Sequence, residues 1–79
     1  METKHIRSEF DRKALDVLKA VVPGQENKLI DTGTGLKRVW TSYAKEKDGI
    51  VITTVIRNGE TVAKFVYDYE SNEEKAFLY

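Results

Sequence analysis

The hydrophobic positions of this chain follow a helical period near the N-terminus and a strand period afterwards. From Ser8 to Val22 the apolar residues recur every three or four positions and form one stripe, comprising Phe10, Ala14, Leu15, Leu18, Val21 and Val22. Ser8 suits the N-cap, Asp11 follows three residues later as in a capping box, and Pro23-Gly24 ends the pattern. The sequence therefore predicts an amphipathic helix over 8–22.

A β-hairpin is predicted further along the chain, folded at Asn58-Gly59. Two runs rich in β-branched residues, 50–57 and 60–70, flank this dipeptide, which tolerates positive φ at both positions. A two-residue loop here fixes three predicted cross-strand pairs: Arg57 with Glu60, Ile56 with Thr61, and Ile52 with Phe65.

Two earlier strands are predicted over 28–31 and 36–46, separated by the break Thr32-Gly33-Thr34-Gly35. The turn that follows has two interpretations. A two-residue loop at Asp48-Gly49 would put Trp40 on the face opposite the large apolar residues. A three-residue loop with a bulge at Gly49 pairs Trp40 with Ile56 instead, and hydrophobic consistency favours it.

The favoured register predicts that one sheet face collects the large apolar side chains, namely Leu36, Trp40, Ala44, Ile50, Ile52, Ile56, Ala63, Phe65, Tyr67 and Tyr69. The other face is a mixed Thr, Val and charged surface, as expected for the solvated side of an antiparallel sheet.

The C-terminal segment from Ser71 to Tyr79 has two candidate structures. Ser71 and Glu74 have the spacing of a capping box, so a short terminal helix is preferred over a last strand. The predicted fold is α+β and a single domain, 1–79. An N-terminal helix packs on a three- to four-stranded antiparallel β-sheet, an α-β-β-β-β meander with a possible short C-terminal helix.

The predicted helix is too small to cover the predicted sheet. A helix of about 15 residues is ~22 Å long and ~10 Å wide, whereas four strands span ~19 Å. Unless the helix crosses diagonally, we expect the C-terminal segment, a second copy of the chain or a different protein to cover the rest.

The formal net charge is zero, which argues against bulk electrostatic attraction to nucleic acid or to an anionic membrane. The charge is nevertheless uneven: residues 1–47 hold ten Lys/Arg and seven Asp/Glu, and residues 48–79 hold three and six. No apolar run is long enough to span a bilayer and no signal peptide is evident. With no cysteine in the chain, these features favour a cytoplasmic protein.

The sequence lacks the residue sets of catalysis and of metal binding. His5 is the only histidine, and without cysteine a zinc site would depend on carboxylates. The Thr32–Gly35 break lacks the Gly-Lys-Ser/Thr ending of a phosphate-binding loop. We therefore expect a protein that is not an enzyme and that has no cofactor and no metal.

The C-terminal third interleaves aromatic and acidic residues, which suits a protein-binding surface. The candidate partner-binding residues are Asp68, Tyr69, Glu70, Glu73, Glu74 and Tyr79. The leading hypothesis is a non-enzymatic protein-binding module. It would be a regulator, an inhibitor or immunity-type protein, or a homo-oligomer, binding another protein or forming a homodimer.

The alternative hypothesis is a nucleic-acid-binding domain that uses a basic strand surface around residues 37–47. Lysines mixed with aromatic residues on a strand resemble the stacking surfaces that bind single strands. The candidate residues are Lys37, Arg38, Tyr43, Lys45, Lys47 and Lys64.

Overall fold

The computed structural model describes residues 4–31 and 38–79. Within them the chain forms the helix α1 (Glu9–Leu18) and then five strands: β1 (Glu26–Asp31), β2 (Arg38–Lys47), β3 (Ile50–Arg57), β4 (Glu60–Asp68) and β5 (Glu73–Leu78). The strands form one antiparallel sheet in chain order, β1-β2-β3-β4-β5. The α+β prediction is confirmed, with five strands rather than three or four. The predicted break at 32–35 and Leu36 lie outside the described residues.

Helix α1 begins as the sequence predicts. The Ser8 hydroxyl accepts a hydrogen bond from the Asp11 N–H at 3.1 Å, and Asp11 Oδ2 accepts from the Ser8 N–H at 3.2 Å, which completes a capping box. The helix ends at Leu18, four residues before the predicted end. Gly24 has φ +86° and its N–H donates to the Ala44 carbonyl, so the preceding residues form the connection into the sheet.

The C-terminal segment is a strand, so the preference for a terminal helix was wrong. Residues 69–72 form a four-residue loop with Asn72 at φ 58°, and the Tyr67 hydroxyl donates to the Asn72 side-chain oxygen. Strand β5 then pairs with β4, with Asp68 opposite Glu73. The local capping-box spacing was overridden because pairing with β4 satisfies the backbone groups of a whole edge.

The turn between β2 and β3 is the two-residue loop, so the favoured three-residue alternative was wrong. Asp48 and Gly49 both have positive φ, 55° and 79°, as a type I′ turn requires. Lys47 therefore pairs with Ile50, and Trp40 pairs with Arg57 instead of Ile56.

The hairpin at Asn58-Gly59 is confirmed at its turn, where Arg57 pairs with Glu60 and Ile56 with Thr61. A β-bulge follows, because the register shifts between Val55 and Ile56 and leaves one extra residue, Val62, in β4. Ile52 consequently pairs with Val66, and the predicted pairing with Phe65 was wrong.

Together these two register changes divide the predicted apolar face. Trp40, Ala63 and Phe65 lie on the face packed against α1, which we call the covered face. The three isoleucines of β3 lie on the other side of the sheet, because Val51, Thr53 and Val55 take their places in the core.

The core lies between α1 and one half of the covered face. Ile6, Ala14, Leu15 and Leu18 pack against four sheet residues: Trp40, Val55, Val62 and Ala63. The buried Ser42 hydroxyl donates a hydrogen bond of 2.7 Å to the Leu18 carbonyl at the end of the helix. The helix is therefore held to the centre of the sheet by a polar contact as well as by apolar packing.

Candidate functional site

The sheet side that faces away from α1, which we call the open face, is covered by no helix of the described chain. Its side chains follow from the cross-strand register, since paired residues share a face. Three rows cross this face: Glu26-Tyr43-Thr54-Lys64-Phe77, Lys45-Ile52-Val66-Lys75 and, at the strand ends, Lys47-Ile50-Asp68-Glu73. Ile30, Val39, Lys28, Thr41, Ile56 and Thr61 extend it beyond the first row.

Apolar side chains on the open face centre on β3, where Ile50 and Ile52 are neighbours and Thr54 follows them. Ile52, on the central strand, is 44% exposed, and Phe77, on the edge strand β5, is 46% exposed. Ile50 and Ile30 are also exposed. Large aliphatic side chains are therefore in contact with solvent on β1 and β3, where alternation would ordinarily place polar residues.

Charged residues surround this apolar centre unevenly. Lysines occupy β2 and also reach β4 and β5 through Lys64 and Lys75, whereas the carboxylates Asp68 and Glu73 lie together at one end of those two strands. Lys45 Nζ lies 6.0 Å from the centre of the Tyr43 ring. The open face thus carries a basic side and an acidic corner.

A second, smaller surface is the groove that α1 leaves uncovered on the covered face. It encloses about 380 Å³ and is lined by the connection after α1 and by side chains of β3, β4 and β5, including Thr53, Phe65, Tyr67, Tyr69 and Glu74. The Tyr67 and Tyr69 rings meet edge to face, with their centres 4.9 Å apart. The expectation that one helix would not cover the sheet agrees with this groove.

The structure does not bring the candidate partner-binding residues into one patch. Asp68 and Glu73 lie on the open face, and Tyr69 and Glu74 line the groove. Glu70 lies in the loop, where its N–H donates to Asp68 Oδ1 at 3.0 Å. The sixth residue, Tyr79, is at the far end of β5, where its N–H donates to the Val62 carbonyl and its own carbonyl accepts from the His5 N–H.

The candidate nucleic-acid residues are grouped more closely. Tyr43, Lys45 and Lys47 follow one another along the open face of β2, and Lys64 lies on the same face two strands away. Lys37 and the side chain of Arg38 lie outside the described residues.

Sequence reasoning missed the exposed isoleucines and Phe77 as surface residues. The signal was present in Asp48-Gly49, because a two-residue type I′ turn there places Ile50 and Ile52 opposite the face of Trp40. Phe77 was missed because its strand was predicted as a helix.

A buried ion pair lies where α1 meets the sheet. Asp11 Oδ1 is 3.6 Å from Arg57 Nη1, and the Arg57 guanidinium lies 5.0 Å from the centre of the Trp40 ring. Burial acts to raise the pKa of Asp11, but hydrogen bonds from the Arg7 and Ser8 N–H groups, with the positive charge of Arg57, outweigh it and lower the pKa. A carboxylate held ionised by fixed donors suits a structural anchor rather than a general base.

No three His, Asp or Glu side chains among residues 4–31 and 38–79 are grouped to hold a metal ion. In the same residues, no helix has the length and apolar character needed to cross a membrane. No protein-family model, curated protein or solved structure matches this chain significantly.

Proposed function

We propose that this chain is a non-enzymatic protein-binding module whose contact surface is the open face. The observation that carries the proposal is the cluster of exposed aliphatic side chains on an uncovered sheet, centred on Ile52. Clustered apolar surface of this kind marks interaction sites, whereas single exposed apolar residues do not.

The charges around the cluster support a protein as the partner. Lysines on β2 and the carboxylates Asp68 and Glu73 give the face both signs of charge. Separated charges around an apolar centre orient a partner and speed its association. A regulator or an inhibitor could use such a face.

Capture from an extract of the native host tests the proposal. The wild-type chain is immobilised beside Ile52→Lys, which places a charge in the middle of the open face, and beside a matched control, Val17→Lys. Val17 lies on the outer side of α1 and is 57% exposed, so the control makes a similar change away from the sheet. We expect the wild type and the control to retain the same protein and Ile52→Lys to lose it, with all three folded by circular dichroism. Equal retention by both variants, or none by the wild type, contradicts the proposal.

A nucleic-acid-binding domain is the second candidate function. It is favoured by the joint presence of Tyr43, Lys45, Lys47 and Lys64 on the open face. It is less favoured because Tyr43 and Phe77 lie three strands apart, about 14 Å, too far for adjacent bases to stack on both rings.

Fluorescence anisotropy with labelled single-stranded RNA and DNA tests this second candidate. If it is correct, affinity should fall with rising salt and should fall further in Lys64→Ala than in the control Lys13→Ala on the exposed helix surface. Binding that is absent at low salt excludes it.

A further inference from the structure

We propose that the occupant of the open face is a second copy of this chain, packed face to face about a two-fold axis that runs along β3. The inference rests on the proposed function and names its partner. The argument comes from the order of the strands, the positions of the charges and the size of the face.

The strand order makes β3 the natural position of the axis. It is the third of five strands, so a half-turn about a line above it sets β2 against β4 of the second copy and β1 against β5. Each row of side chains stays close to its own level, because this axis is nearly parallel to the strands. Every contact then occurs twice, as in any two-fold interface.

The apolar residues of β3 gain partners in this arrangement. Ile50, Ile52 and Ile56 each lie beside the axis, so each meets its own counterpart in the second copy. Facing sheets pack about 10 Å apart, a distance that interdigitating aliphatic side chains fill, and a tilt of β3 by about 15° from the axis gives the usual angle of about 30° between facing strands.

Two of the three central levels shared by β2 and β4 are complementary under the same rotation, and at the third Lys45 faces Val66. Lys47 and Asp68 lie at one level, each one strand from Ile50, so Lys47 of one copy faces Asp68 of the other. Tyr43 and Lys64 share another level, each one strand from Thr54, so the ammonium group faces the aromatic ring.

An axis across the strands gives a poorer match. Each strand would then face itself, and centring the axis on the row of Lys64 or on the row of Lys45 sets a lysine against its own copy. Centring it between these rows pairs no lysine with a carboxylate. Centring it between the Tyr43 and Thr41 rows pairs Glu26 with Lys28, but it sets Ile52 against the turn at Asn58 instead of an apolar side chain. The apolar and charged positions together therefore favour the axis along β3.

The face is large enough for a weak to moderate dimer. The axes of the two edge strands, β1 and β5, lie four spacings or about 19 Å apart, and the eight residues of β3 extend about 26 Å, so each copy contributes roughly 500 Å² of projected surface. The two copies together reach about 1,000 Å², the lower limit of specific interfaces.

Cross-linking through introduced cysteines tests the position of the axis, because the chain has no cysteine of its own. We expect Ile52→Cys and Ile56→Cys each to give a covalent dimer rapidly with a short thiol-to-thiol reagent. Ile30→Cys is the matched control: it is as exposed as Ile52 and lies on the same face, but β1 faces β5 in the dimer. An axis across the strands cannot bring both position 52 and position 56 beside their own copies.

Charge reversal tests the contact between the copies. By sedimentation, Lys47→Glu and Asp68→Lys should each weaken self-association by about a hundredfold, because each sets like charges against each other twice. An equimolar mixture of the two variants should associate again, since opposite charges then meet across the interface. Contacts within one chain cannot produce this recovery, because in each variant positions 47 and 68 of the same chain still carry charges of the same sign.

The outcomes separate this inference from the proposed function. If the wild-type chain stays monomeric at millimolar concentration, the proposal that a second copy occupies the open face is wrong. It is also wrong if the chain dimerises and Ile52→Lys leaves the dimer unchanged, a result that would indicate pairing at a strand edge. Capture of a different protein that depends on Ile52 would keep the protein-binding proposal while overturning the dimer. Because Asp68 also accepts a hydrogen bond from Glu70, the Asp68→Lys variant is checked for folding, and the cysteine experiment decides independently.

Discussion

At the scale of single residues, Asp11 has more contacts than the sequence indicated. Its spacing from Ser8 predicted the capping box correctly. Its burial and its pairing with Arg57 were not predictable. The register of β3 against β2 places Arg57 on the covered face beside α1, and the hydrophobic pattern of the sequence had favoured a different register. Local spacing predicts a helix cap, whereas a contact between distant segments depends on the tertiary fold.

Asp11 should make the stability of the domain sensitive to acid. Since the folded-state pKa lies below the ordinary value of 3.8, the stabilisation is fully present above that value and is lost as the pH falls through the folded-state pKa. Urea unfolding at a series of pH values should show this loss, and Asp11→Asn should reduce it while lowering stability at neutral pH by about 1–3 kcal/mol. Asp16→Asn, an exposed change on the same helix, should preserve the wild-type pH dependence. If Asp11→Asn preserves it as well, the assignment is wrong.

Trp40 was predicted to lie among the large apolar side chains of one sheet face, and it is fully buried under α1. Its neighbours were predicted incorrectly, since Arg57 rather than Ile56 lies opposite it. Its fluorescence should be blue-shifted and poorly quenched by iodide, and Trp40→Ala should cost roughly 3–5 kcal/mol. Ready quenching in the folded protein would contradict this packing.

At the scale of elements, the turns decided which sequence predictions succeeded. The bounds of β3 were predicted correctly from its β-branched run between two turn signals. The face of each β3 residue was not, because apolar side chains occupy both faces of that strand and hydrophobicity alone does not distinguish them. The bulge at Val62 was not predicted for a similar reason. Val62 and Ala63 are both apolar and both fully buried, so the alternation of apolar and polar residues does not mark the extra residue.

The two-residue turn at Asp48-Gly49 gives a prediction that separates it from the three-residue alternative. Asp48 has φ 55°, so Asp48→Val forces a β-branched side chain into the left-handed region and should lower the unfolding free energy by about 1–2 kcal/mol. Asp48→Asn is the control, because asparagine tolerates that region. Equal stability of the two variants in urea unfolding would support the three-residue turn instead, because residue 48 has negative φ in that turn.

At the scale of the whole molecule, the sequence predicted that a single helix would leave sheet surface uncovered, and lengths alone were sufficient for that. It did not predict which surface would be bare. That depends on the strand count and on two register choices, each of which moves side chains from one face to the other. The candidate lysines were grouped by the sheet, while the acidic residues were divided by it.

The docking of α1 on the sheet should depend on Ser42. Its hydroxyl donates to the Leu18 carbonyl in a buried position, so Ser42→Ala leaves that carbonyl without this donor and should cost about 1–3 kcal/mol. Thr41→Ala, on the neighbouring open face, is the control and should cost less. Hydrogen exchange should show faster opening of the last turn of α1 in the Ser42 variant, and an unchanged rate would argue against this contact as the anchor.

The bulge gives β4 a spare residue, and this affects how the chain can change in length during evolution. Loss of one codon between Thr61 and Phe65 can be absorbed, because the strand then pairs without a bulge and Phe65 and Tyr67 keep their faces. Loss of one codon inside β3 has no such remedy, since either half of the strand must exchange its faces against both neighbours. Natural variants that are one residue shorter are therefore expected in the first half of β4 and not in β3.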